Sequence, residues 1–134
     1  MRSTPSQKTS NAVRLARLAW LALCVFIVYG SMGTWAFYQP GIWAPTMVSA
    51  RDVALNVLLY VPFGTLGVIS LRDGYPRYWL RLVLRVVLLA LIFSAANEAL
   101  QLYTIDRVAS LTDILSAGAG SLAGGVAIGF LEPR

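Results

Sequence analysis

The sequence predicts an all-α protein, a four-helix transmembrane bundle with its N- and C-termini cytoplasmic. Three observations predict it: a membrane-like composition, four long apolar runs, and basic residues gathered between alternate runs. Of 134 residues, 57% are hydrophobic and 13% charged, against roughly 25% charged in an average soluble domain. Crossing the hydrocarbon core, roughly 30 Å thick, takes about 20 apolar residues at about 1.5 Å of helical rise each. Residues 15–37, 53–71, 80–103 and 112–131 meet or approach that length. Too little chain remains for a soluble domain, so residues 13–134 read as one transmembrane domain behind a tail of residues 1–12.

The tail is polar, contains Pro5 and is expected to be disordered. The first span, with Arg14 just before it and Arg17 at its start, has the basic flank and apolar core of a secretory signal. It is too long for one and lacks a small-x-small cleavage site, so it reads as a retained anchor. Cys24 lies within it and is the only cysteine. An intramolecular disulfide is therefore excluded, and without histidine the chain has no zinc-binding pattern. The next loop, residues 38–51, carries Arg51 as its one basic residue, whereas Arg72, Arg77, Arg81 and Arg85 lie in or just past the second loop. By the positive-inside rule the N-terminus, second loop and C-terminus are cytoplasmic, and residues 38–51 and 104–111 are external. The net charge of +5 thus reflects topology; nucleic-acid binding would need a basic face on a folded soluble surface.

Within the second span, Pro62 followed by Gly64 and Gly67 predicts a kink or the close approach of a neighbour. The fourth span contains Gly120-Ser-Leu-Ala-Gly124 and Gly125-Val-Ala-Ile-Gly129, both GxxxG patterns that favour close helix packing. A contact within the bundle is the first use expected of them, and a homodimer through these glycine faces is the second. Trp35, Tyr38, Trp43, Tyr78, Trp79 and Tyr103 fall near the span boundaries, as interfacial aromatic belts do.

The polar residues converge on one level. Asp52 and Asn56 are four apart at the external end of the second span. Ser94, Glu98 and Gln101 share one face of the third, with Asn97 beside them, while Arg107 and Asp106 lie in the external loop and Asp113 opens the fourth span. Asp52, Asn56, Glu98, Gln101, Arg107 and Asp113 are the candidate binding residues. A charge near the bilayer centre costs about 2.5–3.5 kcal/mol on insertion scales, which makes an intramembrane charge a functional candidate.

A purely structural use competes with function at each position. Ser49-Ala-Arg-Asp52 and Ser110-Leu-Thr-Asp113 both match a capping box, in which the acid also favours the positive end of the helix dipole. Glu98 lies near the C-terminal end of its helix, where the dipole disfavours an anion, so capping does not account for it. A Glu98–Arg107 clasp between the third and fourth spans is its structural alternative.

The ordered set Asp52-x3-Asn56-x5-Pro62-x-Gly64, Glu98-x2-Gln101, Arg107 and Asp113-x6-Gly120-x3-Gly124 resembles the VanZ-like family of small bacterial membrane proteins. The resemblance covers about residues 52–125. One position departs from it, Ala117, where the family carries Asn; Ser116 is the neighbouring polar residue. The resemblance implies a bacterial inner-membrane location and a role in the cell envelope, since the named member is associated with teicoplanin resistance and relatives occur beside exopolysaccharide genes. It implies no molecular activity.

Three functions follow, in order of preference. The first is an accessory or binding protein whose outer-leaflet polar site engages a lipid-linked glycan, a lipid headgroup or a protein of an envelope complex. Arg107 and the positive ends of the second and fourth helices would hold a phosphate. Asp52, Glu98 and Asp113 would accept sugar hydroxyls or, through a bridging divalent cation, a polyanion; no other cofactor is expected. The second is an enzyme on a lipid-linked phosphate or glycan, with Glu98 as an acid or base in an apolar setting. Against it, the chain has no nucleophile–base pair and no phosphate-cradling loop. The third is a small four-span transporter, ranked last because the first span carries no acid.

Overall fold

The computed structural model describes residues 5–32, 49–72, 79–104 and 109–131, with residues 5–9 described in backbone only. Among these residues four helices form: α1 (Pro5–Ser31), α2 (Ala50–Leu71), α3 (Trp79–Gln101) and α4 (Leu111–Leu131). Each contains a stretch long and apolar enough to cross a membrane.

The boundaries of α2, α3 and α4 lie within three residues of the spans expected from hydropathy. The start of α1 differs. Residues 5–12, expected to belong to a disordered tail, continue the helix back to Pro5, while the apolar portion runs from Ser10 to Ser31. Once a helix is nucleated, each added residue gains a hydrogen bond, and proline is accommodated at the first helical position because its missing N–H has no partner there anyway. The expected extension of the first span to residue 37 falls outside the described residues.

Side-chain register fixes the direction of each helix. The Arg17 side chain of α1 donates from Nε to the Ser70 carbonyl of α2 at 2.9 Å, and Trp20 meets Gly67, so α1 and α2 run antiparallel. The pairs Gly67–Val86 and Phe63–Phe93 set α3 antiparallel to α2, and Leu91–Gly118 and Val83–Gly125 set α4 antiparallel to α3. The start of α1, the end of α2, the start of α3 and the end of α4 therefore share one end of the bundle.

The two parallel helices, α2 and α4, make the most extensive interface. A Cβ on Gly120 or Gly124 would collide with the carbonyls of Val57 or Val61, and one on Gly64 with the Ser121 backbone. These are backbone-on-backbone approaches that admit only glycine, and they raise the number of dispersion contacts in a setting where lipid is as apolar as the helix. Thr65 Oγ1 adds a bond across the interface to the Gly124 carbonyl at 3.2 Å. Leu91, Val83 and Trp79 of α3 cover Gly118, Gly125 and Gly129. The glycine faces considered for a homodimer are thus occupied within one chain. α2 continues as a helix through Pro62, which is exposed, and its Gly64 and Gly67 receive α4, α1 and α3 as the close-approach alternative anticipated.

Val83, Val86, Ala90 and Ala117 are completely buried at the centre. Trp20, Phe63 and Phe93 tie three helices together with ring centroids 5.2 and 5.7 Å apart. Leu15, Leu18, Leu88, Leu115 and Phe130 are exposed, as expected of surfaces solvated by acyl chains rather than water.

Candidate functional site

The bundle end formed by the start of α2, the end of α3 and the start of α4 collects most of the buried polar side chains, Ser70 and Ser121 lying outside it. On α3, Ser94, Asn97, Glu98 and Gln101 are all buried, following the face spacing of three and four residues. Ser116 of α4 and Thr104, just past α3, are buried as well. Toward the opposite end the same face of α3 turns apolar, through Ala90, Val86, Val83 and Leu82.

Glu98 is only 4% exposed, and its Oε2 accepts a hydrogen bond of 2.6 Å from the backbone N–H of Ser110, the residue preceding α4. A short bond from an amide to a carboxylate is a strong one. It corrects the expectation that capping does not account for Glu98. The residue lies at the unfavourable end of its own helix but at the favourable, positive end of the next, where it takes the N–H that the acid of a capping box would otherwise accept. The carboxylate fastens the end of α3 to the start of α4. Gln101 closes α3 through its backbone, its carbonyl accepting from Thr104 Oγ1 at 2.9 Å and from the Thr104 N–H at 3.0 Å.

The start of α2 behaves differently. The Ser49 side chain accepts from the Arg51 N–H at 3.2 Å, and its carbonyl accepts from the Asp52 and Val53 N–H groups. Asp52 stands exposed in the first turn and Asn56 is half-buried four residues on. Asp113 is half-buried in the first turn of α4. Arg107 and Asp106 lie outside the described residues, so the Glu98–Arg107 clasp does too.

Tyr60 of α2 joins these groups and was not among the expected site residues. Its phenol hydrogen-bonds the Ser94 side chain, and the carboxylates of Glu98 and Asp113 are within electrostatic reach of it. Its signal was present: Tyr60 extends the four-residue spacing of Asp52 and Asn56 by one more turn. Asn97, read from the sequence as lying beside this face, is 5% exposed, with a buried Oδ1 that makes no hydrogen bond among the described residues. The structure joins Tyr60 to Ser94 with Glu98 and Asp113 in electrostatic reach, holds Gln101 and Asn97 on the same buried face of α3, and leaves Asp52 at the exposed rim.

This arrangement is rich in acceptors and amides, a set suited to hydroxyl groups. No group of three or more His, Cys, Asp or Glu among the described residues is placed to hold a metal ion. Ala117, where Asn was anticipated from the family resemblance, belongs to the apolar core, and Ser116 beside it is buried.

Neither the curated proteins nor the solved structures contain a match to this chain. The VanZ/LLP1 family model matches residues 3–132, nearly the whole chain. A multi-pass membrane protein of four apolar helices, the chain is a member of the VanZ/LLP1 family.

Proposed function

We propose that the protein is an accessory binding protein of the bacterial inner membrane, acting in cell-envelope or exopolysaccharide biology and in the antibiotic resistance that depends on it. Its site engages the hydroxyl-rich headgroup of a lipid-linked glycan from the outer leaflet. The observation that carries the reading is the buried polar face Ser94, Asn97, Glu98 and Gln101, joined by Tyr60 at one end of an otherwise apolar bundle. Burying that many polar groups in a membrane is costly unless they find partners. Carboxylates and amides beside an aromatic ring bind sugar hydroxyls through paired donor and acceptor atoms. The basic opposite end supports a cytoplasmic location for both termini, and the polar end then faces outward. An acid–base enzyme is less well supported, because Glu98 is already engaged as the cap of α4.

A photo-crosslinking amino acid at Asn56, half-buried at the site, tests the reading in native membranes, with Leu55, exposed on the lipid face, as the control. Position 56 is expected to capture a glycosylated lipid that position 55 does not, and Gln101→Leu to reduce that capture. Identical phospholipid adducts at both positions would sink the proposal. Cysteines at positions 45 and 108, in a Cys24→Ser background, are expected to label from outside.

A further inference from the structure

The opposite end of the bundle is basic, where the site end is acidic. Arg14 and Arg17 lie on α1, Arg72 follows α2, and Arg81 and Arg85 lie on α3. Four of these five are exposed, Arg72 being half-buried. Register gives their depths. Arg17 reaches the Ser70 carbonyl, and Val86, next to Arg85, meets Gly67, so Arg17 and Arg85 both lie level with the last turn of α2. Arg14 and Arg81 sit one turn nearer the helix ends, alongside Arg72. The arginines therefore form two tiers about 5 Å apart, one helical pitch. Arg85, six residues into α3, lies about 9 Å from its start along the axis, which is below the headgroup level for a span of this length.

Among the described residues the tiers are one-sided. α4 has no basic residue in its last turn, where Phe130 and Leu131 are exposed. Arg17 gives its Nε to the Ser70 carbonyl, and the remaining N–H groups of a guanidinium at that depth are met either by extending toward water or by drawing a counter-anion down to them. Its planar fork matches two oxygens of a phosphodiester, and the groups around it are acyl chains.

We propose that the α1–α2–α3 side of this end is an interaction surface for anionic phospholipid, whose phosphodiester is shared between the two arginine tiers, and that the α4 side is not. Leu18, beside Arg17, and Phe130, at the end of α4, are both exposed reporter positions. In a Cys24→Ser background each is replaced by cysteine, labelled with bimane, and the full chain is reconstituted in phosphatidylcholine. Quenching is then compared for a minor fraction of spin-labelled phosphatidylglycerol and the same fraction of spin-labelled phosphatidylcholine. At position 18 the anionic lipid is expected to be enriched about fivefold over bulk, the ratio for an attraction of one well-placed basic group, and at position 130 the two lipids should quench equally. Arg17→Gln with Arg85→Gln should remove the enrichment, whereas Arg17→Lys with Arg85→Lys, which keeps the charge, should retain most of it. Equal quenching by both lipids at position 18, enrichment that survives the glutamine pair, or the same enrichment at position 130 would each overturn the proposal.

Discussion

The starts of α2 and α4 carry the same local pattern, Ser-x-x-Asp, and solve the same problem in different ways. At α2 the solution is local: Ser49 caps with its own side chain and carbonyl, and Asp52 stays exposed in the first turn. At α4 it is long-range, with Glu98 reaching across twelve residues of chain to take the Ser110 N–H. The difference teaches that a capping motif specifies an unsatisfied donor at the helix start, not which acceptor will meet it. In water either acceptor would do. In a membrane a carboxylate already buried on a neighbouring helix has a stronger claim on the Ser110 N–H than the half-buried Asp113 of the local pattern, because leaving the more deeply buried acid without a donor costs more.

The largest effect on this comparison is expected from Glu98→Leu, which removes the charged acceptor and strands a part-buried N–H. A loss of about 2–3 kcal/mol in unfolding free energy is expected, measured by denaturant titration in lipid–detergent micelles. Glu98→Gln keeps a neutral acceptor and should lose about half of that, with faster hydrogen exchange at the Ser110 amide. Unchanged exchange there would remove Glu98 as the cap. Next in size is Ser49→Ala, expected to cost about 1 kcal/mol. The matching change Ser110→Ala should cost only a few tenths, as expected where the backbone rather than the side chain is used. Equal costs at the two serines would erase the contrast. The smallest effect belongs to Asp52→Asn, about 0.5 kcal/mol from the lost interaction with the positive end of α2, declining with added salt.

A second contrast lies along the length of the α3 face. Its first half, Leu82, Val83, Val86 and Ala90, packs as apolar core, whereas its second half, Ser94, Asn97, Glu98 and Gln101, is polar and equally buried. Hydropathy alone marks both halves as one span. Only the four-residue spacing of the polar positions separates them.

Much of this was legible in the residues. The four spans follow from apolar length, a close helix contact within the bundle from the glycines, and the common level of Asp52, Asn56, Glu98 and Gln101 from their positions relative to the span ends. What the residues left hidden is pairing. Glu98 read as an acid at the wrong end of its helix, because dipole arguments made along one helix omit the start of the next. Tyr60 drew no reading of its own in the sequence, since its partner Ser94 lies 34 positions away on another helix. The helical stretch before residue 13 was missed because polarity signals water rather than disorder, and a helix nucleated in the membrane extends into water at little cost.

The sequence by itself determined that this chain crosses a membrane four times, which ends are basic and acidic, and which glycines permit close approach. Those properties depend on length, charge and side-chain size along the chain. The tertiary structure alone decided that Glu98 caps α4, that Tyr60 meets Ser94, and that the glycine faces are filled from within. These are choices among partners brought close only when the packed helices set their register, and register is a property of packing rather than of any single segment.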